Sequence, residues 1–337
     1  MNTKRHCATI LCFLLAVARV SAQESPIPAT RPDAPASERK PSLVHPNPAT
    51  GAHAENAGST EPAALGPINP DAVNDPALSS ALREQLISLM QEAKAPSASA
   101  LREQLRRTHF DIPRLPEPGA KPLAPERVYH DRRDHTIVIG GLYKCDKCDN
   151  WHTSVASAFA LAEPDIFVSN YHVFADTNRV AFAGMTRTMK IQPVLEILAA
   201  SRSADVAIFR LPGLGVAPLA LRDDAPVGTP VSVISHPAEH FFAFSKGIVS
   251  RYVTHEHRGQ KSFWMEISAD FAMGSSGAPI LDDRGNAIAM VAMTQPVFKN
   301  TEDYHSVQMV FKECIPAATI RALITSPRKS SQVQAGR

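Results

Sequence analysis

Apolar residues are spread unevenly along this chain, and from about residue 129 they recur in short runs. Gly, Pro, Asp and Asn separate the runs, which is typical of β-strands joined by turns. The clearest runs span residues 136–139, 156–161, 166–169, 206–211, 231–234, 263–267 and 287–292. Short strands over about 195 residues predict an all-β domain, either a sandwich or a double barrel. A terminal helix is predicted over residues 317–324, and the core is expected from residue 136 onward.

Two helices are predicted ahead of this domain, within residues 75–109. Asp75-Pro76 supplies an N-cap and a proline at the first helical position. The heptapeptide of residues 80–86 recurs at residues 99–105, so a second helix repeats the first. Such short helices with narrow apolar stripes cannot form a stable core alone. We expect a loosely attached surface pair; self-association through residues 75–109 is an alternative. Four leucines mark the apolar face of the first helix: Leu78, Leu82, Leu86 and Leu89.

The remaining segments are predicted to lie outside the core. Residues 1–22 combine Lys4 and Arg5 with an apolar run at residues 8–18 and small residues at 20–22, which is typical of an export signal peptide. Residues 23–74 are rich in Pro and Ala and predict a disordered tether. Residues 110–127 carry five prolines and predict a linker. The β domain is then expected over residues 128–325, with a disordered tail at 326–337.

Charge and hydropathy exclude two kinds of partner. The formal net charge of +2 falls to −1 without the predicted leader, which carries three basic residues and no acid. A near-neutral chain without a dense Lys/Arg cluster gives no electrostatic footprint for nucleic acid. The apolar run at residues 8–18 is too short to span a bilayer, and no other segment approaches that length. We therefore expect an exported protein, periplasmic or secreted, with no membrane span in the mature chain.

The strongest local motif is Gly-Ser-Ser-Gly-Ala-Pro at residues 274–279. A nucleophilic serine needs an exposed hydroxyl on a tight turn, with backbone N–H groups free to meet a developing oxyanion. Glycines on both sides of Ser276 permit that turn and the close approach of a substrate backbone. An ordinary Gly/Ser turn between strands is the alternative.

Two further residues fit the same chemistry. His172 follows the apolar run of residues 166–169, where a strand end can hold it, and Asp205 opens the run of residues 206–211. In a serine triad the serine attacks, the histidine moves the proton, and the aspartate orients the histidine. A lone His or Asp beside a strand is more often structural. The order His172, Asp205, Ser276 nevertheless predicts a triad.

These motifs resemble those of trypsin-like serine peptidases, and within them the HtrA/Deg-type bacterial branch. The matching segments are residues 169–172 (Ser-Asn-Tyr-His), 205–208 (Asp-Val-Ala-Ile), 247–250 (Gly-Ile-Val-Ser, a turn in that branch) and 274–278. The resemblance covers about residues 130–325 and is silent on residues 23–127. It implies a chymotrypsin-like fold of two six-stranded barrels with the triad between them.

The resemblance also implies roles for residues around the serine. The N–H groups of Gly274 and Ser276 would form the oxyanion hole, and Met293 and Thr294 would line the S1 pocket. Asp270 lies six residues before Ser276, the spacing that in trypsin gives a preference for basic P1 residues. A gapped alignment to HtrA-type sequences makes Asp270 a structural residue instead. We expect an apolar or small P1 residue, with a basic one as the rival.

Three cysteines remain after the predicted leader: Cys145, Cys148 and Cys314. The pair Cys145 and Cys148, followed by His152, resembles half of a zinc site, for which Cys314 is the candidate fourth ligand. An oxidising compartment favours a structural disulfide, or thiols without a metal. No metal or cofactor is expected, with zinc as the alternative.

The residues together predict an exported serine endopeptidase that cleaves extended or partly unfolded polypeptides through an acyl-enzyme. Ser275 and Ala278 stand where the family usually has Asn or Asp and Gly, and neither change removes a triad member. A protease-like binding or scaffold protein with a latent site is the main alternative. A self-processing enzyme with residues 23–127 as its propeptide is a third hypothesis. No PDZ-like domain is expected, because about a dozen residues follow the predicted terminal helix.

Overall fold

The computed structural model describes residues 69, 71–112, 114–145, 147–163, 165–257, 260–299 and 306–325. The α-helices in this part of the chain are α1 (Asp75–Gln91), α2 (Ala98–Gln104), α3 (Pro125–Arg132), α4 (Tyr171–Ala175) and α5 (Ala317–Arg321), and short 3-10 helices span Arg133–His135 and Pro237–Glu239. The strands, in chain order, are β1 (Phe110–Asp111), β2 (Thr136–Lys144), β3 (Trp151–Ala162), β4 (Ile166–Ser169), β5 (Ala181–Met185), β6 (Ile191–Pro193), β7 (Glu196–Ser201), β8 (Val206–Arg210), β9 (Pro230–Ser235), β10 (Ala243–His257), β11 (Gln260–Ile267), β12 (Pro279–Asp282), β13 (Ala287–Phe298), β14 (Val307–Pro316) and β15 (Ile324–Thr325).

Seven of these described strands form a curled antiparallel sheet in the order β6-β5-β2-β3-β4-β8-β7. Two consecutive residues bring its edges together, because Val194 donates its N–H to Phe182 of β5 and Leu195 donates to Arg210 of β8. The resemblance implies six strands here. The structure has seven because residues 194–195 separate β6 from β7.

The second β-system is a closed barrel. Six of the described strands form it, in the order β10-β11-β14-β13-β12-β9, and pairing of β9 with β10 closes it. The mostly-β architecture of two curled sheets matches the predicted chymotrypsin-like double barrel.

Both faces of the curled sheet are buried, so its strands do not alternate between apolar and polar residues. In β2, Ile137 and Ile139 point into the sheet's interior, whereas Val138 and Leu142 lie in a second cluster on the other face. Strands covered on both faces read as continuous apolar runs, which explains why the sequence shows runs here. The four leucines of α1 belong to the second cluster.

Helix α1 is an integral part of the core, which corrects the expectation of a loose surface pair and of a core from residue 136 onward. It packs on β2, β3 and β5. Gly140 of β2 permits this contact, because a Cβ there would lie 2.8 Å from the nearest atom of Leu82. The N-cap is Asn74 rather than the predicted Asp75, because the Asn74 side chain accepts the N–H of Ala77. Asp75 is therefore the first residue of the helix.

Helix α2 is fastened to the curled sheet by its ends. The N–H of Ala98 donates to the carbonyl of Val180 at 2.9 Å, and the Gln104 Oε1 accepts the N–H of Ile197 at 2.7 Å. Leu101 is fully buried in the sheet's interior. The apolar faces of both helices are therefore covered by the chain itself. Self-association through residues 75–109 stays a prediction.

Three local expectations differ from the structure. The Pro-rich segment 110–127 is tied down, since β1 pairs in parallel with β15 and the N–H of Gly119 donates to the Asn286 Oδ1. The terminal helix ends at Arg321 instead of 324, because Ile324 enters that strand pair. Residues 247–250 lie inside β10 rather than in a turn, with Gly247 in register with Val231.

The predicted signal peptide, most of the predicted tether and the predicted tail lie outside the described residues. The unit of residues 1–65 is among them, whereas every described residue belongs to the unit of residues 66–337. No helix in the described part of the chain has the length and apolar character needed to cross a membrane.

Leu82→Ala tests whether α1 belongs to the core. Leu82 is 0% exposed, and removing its side chain leaves a cavity over β2. The free energy of unfolding is expected to fall by about 2–5 kcal/mol, measured by urea denaturation. Gln85→Ala, on the exposed face of the same helix, is the control and should change it by less than about 0.5 kcal/mol. Equal, small effects of both substitutions would contradict the role of α1.

Candidate active site

His172 and Asp205 form a close pair in the structure. The His172 Nδ1 lies 2.9 Å from the Asp205 Oδ2 and 3.1 Å from its Oδ1, and the backbone N–H of His172 donates to the Oδ1 at 3.0 Å. The histidine side chain is 52% exposed, whereas the aspartate is 15% exposed. A carboxylate that faces Nδ1 favours the tautomer with its proton there and leaves Nε2 available as a base.

Two adjacent interior strands of the curled sheet place this pair where one strand ends and the other begins. β4 and β8 are antiparallel, with Ser169 in register with Ala207, so the end of β4 meets the start of β8. Asp205 has a φ of +53°, a left-handed conformation that aspartate tolerates better than most residues. Its carbonyl accepts the N–H of Tyr171 and the side-chain N–H of Asn170. The aspartate is thus held at both its carboxylate and its backbone.

The turn that carries Ser276 depends on two glycines. Gly274 has a φ of +95° and Gly277 a φ of +88°. A Cβ at Gly274 would collide with the carbonyl oxygen of His236, and one at Gly277 would collide with Ser157 and Ser169. Among the hydrogen bonds of the described residues, the N–H groups of Gly274 and Ser276 donate to no protein acceptor. The turn therefore presents two unused donors beside Ser276.

Ser157 of β3 joins this turn to the curled sheet. Its N–H donates to the carbonyl of Ser276 at 2.7 Å, and its hydroxyl donates to the carbonyl of Gly274 at 3.1 Å. Its own carbonyl accepts the hydroxyl of Ser169 at 2.8 Å, three residues before His172. These bonds connect the serine turn of the closed barrel to the strand end that carries the histidine.

A loop of residues 236–242 hydrogen-bonds to the residue that precedes the serine turn. The N–H of Ala238 donates to the carbonyl of Met273 at 2.7 Å. Since C=O and N–H of a trans peptide point in opposite directions, this bond turns the N–H of Gly274 away from the loop. Helix α1 holds the same loop, because the Asp75 Oδ1 accepts the N–H of Phe241 at 3.0 Å and the Ser79 hydroxyl donates to Glu239.

The hydroxyl of Ser276 does not hydrogen-bond to His172 in the described structure. It donates instead to the carbonyl of Ala292 at 3.4 Å, which is a long contact for an O–H donor. Ser276 is partly exposed, so its hydroxyl is accessible to a ligand. Hydrogen bonds of this kind are often long in structures without substrate and shorten when substrate binds.

The predicted S1 residues lie on the closed barrel, together with a lysine that the sequence did not indicate. Met293 is 46% exposed, and the carboxylate of Asp270 is 92% exposed. Lys312 is in register with Thr294, and its ammonium lies 3.5 Å from the Asp270 carboxylate and 2.6 Å from the carbonyl of Phe271. Strand pairing brings Lys312 beside Asp270 across 42 positions of sequence, so no local motif could have identified it.

The candidate metal ligands divide into two places. Cys145, Cys148 and His152 meet at the tip of the β2–β3 hairpin. Cys314, predicted as the fourth ligand, is instead fully buried inside the closed barrel, where burial raises the pKa of its thiol well above the usual range. It is no part of the cluster, because β14 places its side chain in the barrel interior.

Comparison with known proteins finds similarity over part of the chain. Residues 156–290 match the model of the trypsin-like peptidase domain. A curated relative, the uncharacterized protein y4bJ of Sinorhizobium fredii, is 25% identical over 140 residues, which is 41% of this chain and 22% of that protein. The chain thus spans about a fifth of the length of the curated relative it matches.

Similar solved structures include two proteases. The active form of the Rv3671c protease from M. tuberculosis is 19% identical, with a TM-score of 0.47, over 64% of this chain and 94% of that one. A variant of the HtrA-type protease AlgW with a decapeptide is 12% identical, with a TM-score of 0.47, over 58% of this chain and 64% of that one.

The matched segment contains His172, Asp205 and Ser276. The chain therefore carries a trypsin-like peptidase domain, as its motifs predict.

The buried His236 predicts a pH-dependent stability. Burial lowers the pKa of His236 from 6.5 to about 4, and its Nδ1 accepts the N–H of Phe242. In the unfolded chain His236 therefore becomes protonated near pH 6.5, whereas in the folded chain it becomes protonated only near pH 4. Stability is fully present above pH 6.5 and is lost as the pH falls through this window, by about 3 kcal/mol in all.

The measurement is urea unfolding of the native protein and of His236→Asn, whose side-chain oxygen can still accept from Phe242. Between neutral pH and pH 4 the variant should lose about 3 kcal/mol less than the native protein. His135, whose pKa burial also lowers, is present in both proteins and cancels in the comparison. Parallel pH profiles would contradict the assignment to His236.

Proposed function

We propose that the protein is an exported serine endopeptidase that hydrolyses peptide bonds through an acyl-enzyme on Ser276. His172 acts as general base and acid, and Asp205 orients it. The substrates are extended or partly unfolded polypeptides. The location, periplasmic or secreted, rests on the signal-like pattern of residues 1–22.

The observation that carries this proposal is the pair of unused N–H donors beside Ser276. Most backbone N–H groups of a folded chain have a hydrogen-bond partner, whereas those of Gly274 and Ser276 find no acceptor among the described residues. Donors arranged in advance around a developing negative charge are a large source of catalysis. A carbonyl oxygen of a bound peptide is the acceptor to which such N–H groups would donate.

The steps follow from these positions. The hydroxyl of Ser276 turns from Ala292 toward the His172 Nε2 and gives up its proton as the oxygen attacks the scissile carbonyl. The negative oxygen binds the N–H groups of Gly274 and Ser276. His172 then protonates the leaving amine, which departs and leaves the ester on Ser276. Water then attacks the ester carbonyl as His172 takes its proton. His172 returns that proton to the departing Ser276 oxygen, which restores the serine hydroxyl, and the product carboxylic acid leaves.

A binding or scaffold protein with a latent site is the second candidate. The observation that favours it is the 3.4 Å contact of the Ser276 hydroxyl with Ala292, with no hydrogen bond to His172 in the described structure. The close His172–Asp205 pair favours catalysis over latency, because a binding protein has no need of an oriented base.

The position of Lys312 beside Asp270 supports a preference for a small or apolar P1 side chain over a basic one. The carboxylate of Asp270 already has an ammonium partner at 3.5 Å. A basic P1 side chain would have to compete with Lys312 for this carboxylate, which weakens the trypsin-like alternative.

Reaction with a fluorophosphonate probe tests the proposed function. The purified protein should gain the mass of one probe and hydrolyse an unfolded protein. Ser276→Ala should abolish labelling and lower kcat on the order of 10⁶-fold, because the nucleophile is gone. Ser203→Ala, an exposed serine two residues before Asp205, is the matched control and should retain both. A folded protein that neither labels nor cleaves would favour the latent alternative.

Lys312→Met tests the assignment of P1 preference. Removing the ammonium frees the Asp270 carboxylate, so cleavage after Lys or Arg should rise relative to Leu or Ala by about tenfold in kcat/KM. The measurement is a peptide library scored by P1 residue. The double variant Lys312→Met with Asp270→Asn should lose that gain. An unchanged P1 profile in both variants would show that this pair lies away from the S1 pocket.

A further inference from the structure

The tip of the β2–β3 hairpin gathers three side chains that the proposed peptide hydrolysis does not use. The ligand atoms of Cys145, Cys148 and His152 all lie within 4.8 Å of one another. The Cys148 Sγ is 3.1 Å from the His152 Nε2, and Cys148 is not part of a disulfide. All three side chains are half-buried, so they remain accessible to an ion from solvent.

These separations are close to those of a zinc site. Zinc binds thiolate at about 2.3 Å and imidazole at about 2.0–2.1 Å in a tetrahedron. Those bond lengths place two sulfur ligands about 3.8 Å apart, and a sulfur and a nitrogen about 3.6 Å apart. Shifts of no more than about 1 Å therefore bring the three ligand atoms into this arrangement.

The hairpin holds the ligands in place before any ion binds. His152 is in register with Tyr143, and their rings stack with centroids 5.6 Å apart. The guanidinium of Arg179 lies 4.4 Å from the centre of the Tyr143 ring, which fixes that ring in turn. The N–H of Lys147 donates to the Cys145 Sγ at 3.4 Å, which helps to hold that sulfur in place.

We propose that Cys145, Cys148 and His152 bind one zinc ion, with solvent at the fourth position. Thiolate and imidazole ligands suit zinc and not magnesium or calcium. Cys314 does not contribute, because it is buried in the closed barrel. A disulfide between Cys145 and Cys148 is the competing chemistry. It would close only a very short loop, which restrains the unfolded chain little, and it would give His152 no role.

The ion would act on structure rather than on catalysis. His152 lies five positions before Ser157 on β3, about 17 Å along the strand from the residue that holds the serine turn. A zinc ion at the tip would stabilise the hairpin. Arg83 and Ile87 of α1 lie beside this hairpin, around a shared pocket. The proposal is therefore independent of the proposed function.

The test measures the zinc content and thermal unfolding of the full chain, purified under reducing conditions with zinc and then dialysed. We expect one zinc per chain by elemental mass spectrometry, and a Tm that rises with added zinc because only the folded site binds it. Cobalt in place of zinc should give the visible absorption of a tetrahedral ion with thiolate ligands.

Cys148→Ser and His152→Ala should each lose the zinc and the rise in Tm, whereas Cys314→Ala should keep both. Circular dichroism shows whether each variant is folded. Should a variant unfold, the cobalt spectrum of the native protein still decides whether thiolates bind the ion. A native protein that takes up neither metal, a Cys145–Cys148 disulfide that persists under reducing conditions, or equal zinc in all variants would overturn the proposal.

Discussion

The candidate site depends on the hydrogen bonds that Ser157 makes across the boundary between the two β-systems. Its N–H and hydroxyl bind the carbonyls of Ser276 and Gly274, and its carbonyl accepts the hydroxyl of Ser169. Gly277 packs so closely on Ser157 and Ser169 that a Cβ has no room there. One residue of the curled sheet therefore sets where the serine turn sits relative to the strand end that carries His172.

A second layer of support comes from ahead of the β domain in the sequence. Asp75 and Ser79 of α1 hold the loop of residues 236–242, and that loop holds the carbonyl of Met273. The direction of the Gly274 N–H thus depends on α1, whose leucines are buried against the curled sheet. The narrow apolar stripe of α1 predicted a loosely attached surface helix. In the structure, this helix is part of the core and supports the turn that carries Ser276.

Several strands were not predicted, and three of them carry residues that weaken the apolar signal. β5 contains Gly184, which is needed because a Cβ there would collide with Leu211. β14 carries Lys312 and Glu313, and β10 carries Arg251, whose guanidinium pairs with the buried Glu266 of β11 at 2.6 Å. Charged side chains on these strands pair with residues that are distant in sequence. A search for apolar runs therefore overlooks such strands.

The sequence by itself determined the fold class and the residues of the candidate triad. Glycines around Ser276, a histidine after one apolar run and an aspartate before another are local features, and local chemistry suffices to recognise them. Only the tertiary structure decided which residues surround them. Ser157, Lys312 and the four leucines of α1 act through contacts between segments far apart in sequence, and Cys314 is removed from the metal cluster by its strand. Spacing along a chain carries no information on such contacts, because strand pairing and helix packing create them.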